Sequence, residues 1–276
     1  MNRALLVGIN AYPGAPLAGC VNDIRDMADF LNQKCAFPRD NVRLLVDGRA
    51  TTKGILERLA WLLNGLSAGD RVLFHYSGHG AQLPTRNPKG EVDGLDEVIC
   101  PVDFDWSDEH VIRDKDFNKL FSPVPAGVEF IWVSDSCHSG DLTRALPPPG
   151  RDHERSKTLL PPADIDWRLQ TAKELRIDAL CMARAAKGLH VALVSGCRSD
   201  QTSSDAVFGG RPNGALTYFL LSELKKADGL TVPLKAVVEH VQSALQRAHF
   251  TQVPQLGGSP EIAARAFLVG VLKQQA

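Results

Sequence analysis

Short apolar runs alternate along this chain with stretches whose apolar residues fall at helical spacing, and that alternation restricts the fold more than any other feature. The runs at 3–9 (RALLVGI), 42–46 (VRLLV), 71–76 (RVLFHY) and 128–134 (VEFIWVS) are short, uninterrupted and rich in branched or aromatic residues. Such runs read as strands buried on both faces. Between them, residues 20–34 carry Val21, Ile24, Met27, Ala28 and Leu31 at helical spacing, and Thr51 can cap a helix that continues to about Leu66. A further apolar run lies at 97–102. The pattern predicts an α/β fold with a mostly parallel central sheet flanked by helices on both faces.

The rhythm breaks between Arg144 and about Arg176, where five prolines and mixed charges read as a linker or surface loop. It resumes with a strand at 190–195, helices at 213–226 (opened by Asn213) and 231–248 (opened by Thr231), and a strand at 265–270. The second part has too few strands for a sheet of its own. The expectation is one domain over 1–276, made of a large part (1–143), a linker (144–187) and a small part (188–276).

Composition narrows the function classes. Lys and Arg total 31 against 32 Asp and Glu, a net charge of −1, which argues against a general nucleic-acid binder. No apolar run reaches the ~20 residues of a membrane span. The N-terminus MNRALLVGINAY lacks a cleavage site and reads as a first strand, so a cytoplasmic protein is expected. The six cysteines form no CxxC pair and are expected to be free thiols.

Two strand ends carry the chemistry. The run at 71–76 leads into Ser77-Gly78-His79-Gly80, and the run at 128–134 leads into Asp135-Ser136-Cys137-His138-Ser139-Gly140. In open α/β sheets, ligands bind beyond the carboxyl ends of the strands. Cys137 is a candidate nucleophile and His79 its candidate base, with glycines that let a substrate backbone approach. The pair His75 and His79 does not read as a zinc site, because four steps of extended chain span ~13 Å. His138 reads as structural.

The segments HYSGHG (75–80), DGLDEVICPVDFD (93–105) and WVSDSCHSGD (132–141) resemble metacaspases of the type I or bacterial kind, which have the caspase-haemoglobinase fold. The opening ALLVGINAYPGAPLAGCVNDIRDM, and the later SGCRSDQTSSDA (195–206) and NGALTYFLLSEL (213–224), resemble the same family. His79 and Cys137 are 58 residues apart (137 − 79), near the ~50 of caspases. The resemblance implies a cysteine endopeptidase in which Cys137 forms a thioester, His79 moves the proton, and the backbone N–H groups of Gly80 and Cys137 form the oxyanion hole. Asp135, two residues before the nucleophile, can present a carboxylate to a basic P1 side chain. The resemblance adds Asp23, Ser77 and Cys20 to that S1 pocket and implies protein or peptide substrates with Arg or Lys at P1.

Calcium is a possible activator in this family, and Asp93 and Asp114 are the candidate ligands. The usual Asp-Asp pair is altered, however: VIRDKD (111–116) has Arg113 at the first position. The resemblance also implies self-cleavage after a basic residue of the linker, within 144–187, and a monomer. The competing expectation is a catalytically inactive caspase-like interaction module.

Overall fold

The computed structural model describes residues 1–85, 95–138, 154–174, 188–198 and 201–269. Its first part comprises β1 (Asn2–Gly8), α1 (Cys20–Lys34), β2 (Val42–Val46), α2 (Thr52–Leu63), β3 (Arg71–Ser77), β4 (Gly80–Pro84), β5 (Leu95–Ile99), β6 (Ile112–Arg113), α3 (Asp114–Phe121) and β7 (Glu129–Asp135). There follow β8 (Arg155–Ser156), α4 (Ala163–Glu174), β9 (Ala192–Ser195), β10 (Ser204–Phe208), β11 (Arg211–Gly214), α5 (Ala215–Leu224), α6 (Leu234–Arg247), β12 (Gln255–Gly258) and α7 (Pro260–Ala263).

The main sheet has six strands in the order β12-β9-β7-β3-β1-β2, so one sheet runs through both parts of the chain. All its pairings are parallel except that of β12 with β9. Two smaller sheets, β4-β5-β6 and β11-β10-β8, are antiparallel.

Alternation along the strands decides which side chains meet which helices. Leu5, Val7, Val72, Phe74, Phe130 and Trp132 pack on one face with Ile55 and Leu59 of α2 and Phe117 and Phe121 of α3. Leu6, Leu73, Ile131 and Val133 pack on the other with Ile24 and Met27 of α1, Leu216 and Leu220 of α5, and Val237 and Val241 of α6. Each large side chain so buried contributes about 1.5–3 kcal/mol from removal of apolar surface. The two clusters fix the sheet from both sides, and the register then sets the site. Gly8 pairs with Ser77, and Ser77 pairs with Asp135, so the carboxyl ends of β1, β3 and β7 finish level.

Several elements differ from the sequence reading. Residues 211–214 form β11, so the helix begins at Ala215 and Asn213 does not cap it. The next helix starts at Leu234 after Pro233, because a proline fits a helix entrance and not its interior. The run at 265–270 is not a strand over its described residues. Phe267 and Leu268 are buried in the core, and the Leu268 N–H is taken by the Glu129 carboxylate rather than by a ladder. The presumed linker contains β8 and α4, the latter started by the Pro162 carbonyl accepting from the N–H groups of Ile165 and Asp166. The five cysteines within the described residues are free thiols.

Candidate active site

His79 and Cys137 each lie two residues beyond the paired ends Ser77 and Asp135, on neighbouring strands. Both are buried. The His79 backbone is pinned from two sides: the Tyr76 hydroxyl donates to its carbonyl at 2.6 Å, and its N–H donates to the Tyr12 hydroxyl at 3.1 Å. Its ring lies against Tyr12, with centroids 4.6 Å apart. Nε2 sits 2.7 Å from the Ala15 carbonyl. A carbonyl can only accept, so Nε2 carries the proton and Nδ1 keeps the lone pair that a base needs. Nδ1 is buried and has no hydrogen-bond partner. Burial pulls the imidazole down to about 4, and the Lys157 ammonium pushes the same way against the Ala15 carbonyl. The Cys137 thiol donates to the Gln201 carbonyl at 2.7 Å.

Between these groups lies a segment of the same chain. The Lys157 carbonyl accepts from the N–H of Gly80 at 3.0 Å and from the N–H of Cys137 at 3.2 Å. These are the two donors expected for an oxyanion, converging on one peptide carbonyl. The segment is held on both sides of that carbonyl. The Lys157 N–H donates to Ser203, β8 pairs antiparallel with β10, and the Leu159 N–H donates to Gly80. Arg155 donates to the Pro16 carbonyl at 2.8 Å, and Asp205 accepts from the N–H groups of Ala18 and Gly19, which fixes the loop that carries Ala15. A cleft of about 680 Å³ continues past the segment, lined by Ala15, Pro16, His79, Trp106 and Thr158 among others.

The Lys157 side chain has no exposed surface and enters a pocket with two carboxylates. Its ammonium lies 3.1 Å from Asp135 and 3.4 Å from Asp23, and donates to the Ser77 hydroxyl at 2.9 Å. Asp135 also accepts from the Ser203 hydroxyl, the Thr217 hydroxyl and the Thr217 N–H. Asp23 accepts from the Ser77 hydroxyl, the Asn213 amide and the Gly214 N–H. Burial acts to raise both carboxyls. In Asp135 the Lys157 charge and the Thr217 hydrogen bonds win and hold it below the usual range. In Asp23 burial wins, and repulsion from Asp135 adds to it, so the group is raised to about 7. Burial also pushes the Cys20 thiol up, against the nearby Lys157 ammonium and Ser77 hydroxyl.

Gly214 forms the pocket wall. A Cβ there would overlap the Lys157 ammonium and both carboxylates. Gly80 is equally constrained, since a Cβ would strike the Cys137 carbonyl and the His138 ring. His138 therefore abuts an expected oxyanion donor.

The structure thus brings together Cys137, His79, Gly80, Asp135, Asp23, Ser77 and Cys20. It adds Lys157, Thr217, Ser203, Asn213 and Gly214, which sequence reasoning did not assign to the pocket. Their signal was weak: Lys157 was one of several linker cations, and Thr217 lies in an apolar helix. Below Thr217, His75 reaches its hydroxyl at 3.2 Å. Of the two candidate metal ligands, only Asp114 lies among the described residues. Asp93 lies outside the described residues, and Asp114 opens α3 with its carboxylate on the Lys115 N–H. Among the described residues, no group of three or more His, Cys, Asp or Glu side chains is placed to hold a metal ion.

Comparison with known proteins bears on the fold and the family. The fold is that of caspase-like peptidases. A crystal structure of protein GSU0716 from Geobacter sulfurreducens superposes with a TM-score of 0.68 at 24% identity, covering 98% of each chain. Caspase-1 from Spodoptera frugiperda gives a TM-score of 0.56 at 12% identity, covering 93% of this chain and 86% of its own. Residues 2–145 match the family model described as metacaspase, peptidase C14 domain. Metacaspase-1A of Aspergillus niger is 31% identical over 294 residues, covering 95% of this chain and 71% of the relative. Metacaspase-1A of Aspergillus oryzae is 32% identical over 289 residues, covering 93% and 67%. The chain belongs to the metacaspase family and is a cysteine-type endopeptidase.

Proposed function

We propose that this peptidase cleaves after Lys or Arg through Cys137 and His79, and that its first substrate is its own Lys157–Thr158 bond. One observation carries the reading: the Lys157 carbonyl meets the N–H groups of Gly80 and Cys137 while its ammonium sits between Asp135 and Asp23. A peptide bound for cleavage needs both contacts at once.

In the proposed reaction, the Cys137 thiol leaves the Gln201 carbonyl and gives its proton to Nδ1 of His79. The thiolate forms a bond to the Lys157 carbonyl carbon, and the displaced electron pair rests on the oxygen facing Gly80 and Cys137. Collapse breaks the bond to the Thr158 nitrogen, which takes the proton from His79 and departs. Water then hydrolyses the thioester with His79 as base, restoring the thiol. Once the new carboxyl end withdraws, the two-carboxylate pocket is open to Lys or Arg of another protein. Asp at P1 would meet two like charges in a buried site.

No described helix is long and apolar enough to cross a membrane. We expect a monomer, since the sheet edge ends in β12, a four-residue strand with two glycines, a poor template for pairing.

The test is a pair of peptides with Arg or Asp at P1, together with mass spectrometry of the chain after incubation. Turnover of the Arg peptide and a new N-terminus at Thr158, both lost in Cys137→Ala, support the reading. Preference for Asp, or a stable chain with no turnover, refutes it.

A further inference from the structure

The family resemblance raised calcium as an activator, and the residues at that place do not fit one. Asp96 lies on β5, one strand away from β4, whose first residue is the oxyanion donor Gly80. Its carboxylate is 3% exposed. A carboxylate so buried needs a positive partner, and here two side chains of the same chain supply it. Arg113, on β6, reaches one oxygen at 2.6 Å, and Lys115, in the first turn of α3, reaches the other at 2.6 Å. The Arg113 guanidinium spans to Asp108 at 2.5 Å with its other nitrogen. Three further carboxylates of this acidic region have other duties. Asp103 accepts from the N–H and hydroxyl of Thr52 at the start of α2. Asp105 holds Ser107 and His110, and Asp116 accepts from the Arg113 N–H.

We infer that Arg113 and Lys115 are a built-in replacement for a divalent cation, and that this peptidase is active without calcium. The physical requirement is positive charge that ties β5, β6 and α3 together behind the strand bearing Gly80. A calcium ion meets it with oxygen ligands from several segments. Two fixed cations meet it from within the chain, and they would also repel an incoming ion. The inference concerns regulation of the site proposed above and rests on that reading only for its effect on activity.

The test uses the full chain as Cys137→Ala, so that self-cleavage cannot intervene. Thermal melts are taken in chelator and in calcium up to about 10 mM, roughly tenfold above the weakest common protein sites. The expected result is no shift for the parent and an upward shift with calcium for the added substitution Arg113→Asp, which restores a carboxylate at the altered position. A saturable rise in the parent overturns the inference. So does a folded Arg113→Asp chain with no calcium response. If that variant folds only with calcium, the inference is supported. If it folds under neither condition, a double-mutant cycle of Arg113→Met and Asp96→Asn decides. Coupled losses support the pairing, and additive losses overturn it. In the active chain, turnover unchanged by chelator is expected, and loss restored by calcium overturns the inference. The melts read calcium without turnover, so failure of the proposed peptidase activity is seen separately.

Discussion

Two acidic centres of this molecule are neutralised by its own cations, but the cations come from different places. At Asp23 and Asp135 the positive charge is Lys157, carried on a segment whose carbonyl accepts from the N–H groups of Gly80 and Cys137. At Asp96 it is Arg113 and Lys115, carried on β6 and α3 and part of the permanent frame. In the proposed reaction the first charge is released once the bond after Lys157 is cut and the new end withdraws, whereas the second stays in place. The contrast teaches that similar electrostatics can serve as a lock or as a strut, according to whether the cation's backbone lies in the path of the nucleophile.

The sharpest way to break the comparison is at the sulfur. Cys137→Ala is expected to lower peptide turnover by at least ~10⁴-fold, the order seen when a covalent nucleophile is removed. The Lys157–Thr158 bond should then stay intact on mass spectrometry. A chain still cut at that bond would show that Cys137 is not the group that opens the lock. Next come the pocket acids. Asp135→Asn should reduce kcat/KM for Lys and Arg peptides by ~10²–10³-fold, from loss of a buried charge partner, with little change in fold by circular dichroism. Equal turnover in both proteins would remove Asp135 from recognition.

Lys157→Met separates the two centres more finely. Measured against parent chain that has not yet cut itself, it should raise turnover of added peptides by about tenfold or more, because an intramolecular occupant competes at millimolar effective concentration. It should also lower Tm by several degrees, since Asp23 and Asp135 lose their counter-ion. Arg113→Met should lower Tm as well but, before scission, leave the pocket occupied and added-peptide turnover low. A rise in turnover there would erase the distinction.

The smallest expected effect is in pH. Burial pulls His75, His79 and His138 to about 4. The unfolded chain takes up those protons below about 6.5, whereas the folded chain refuses them, so this stability is complete above 6.5 and is lost as pH falls toward 4. Asp23, raised to about 7, acts in the opposite sense. It binds its proton in the folded state first and so favours folding as pH falls below 7. Glu129 and Asp205, raised by burial, and His110, raised by Asp105, act on the side of Asp23, but the three imidazoles, each pulled far down, outweigh them. Melts of Cys137→Ala between pH 7 and 4 should show a falling Tm, with a shallower fall in His138→Gln. A flat profile would mean that these imidazoles are not held neutral.

Legibility followed the physics of each region. The strands β1, β2, β3 and β7 were readable because burial on both faces leaves uninterrupted apolar runs, and α1 and α2 because one face of each is apolar. Elements with little apolar periodicity were not: α4 in the proline-rich stretch, and β12, whose QLGG has two glycines. The run at 265–270 looked like a strand because Phe267 and Leu268 are core residues, yet their backbone follows no ladder. The strand-end placement of His79 and Cys137 was legible from glycine-flanked residues beyond apolar runs. Lys157 was not distinguishable from its basic neighbours, because its role depends on which linker residue reaches β10, a tertiary fact. Thr217 and Ser203 act through hydrogen bonds to a carboxylate more than 60 residues away in sequence.

The complete enclosure of the Lys157 ammonium also bears on how the molecule's history can be read. Amine-reactive reagents need solvent contact, so in the intact chain this nitrogen is shielded while exposed lysines such as Lys53 and Lys119 are labelled. If the proposed scission and withdrawal take place, the same nitrogen becomes open to reagent. Footprinting at this single amine would therefore count spent and unspent molecules in a mixed population.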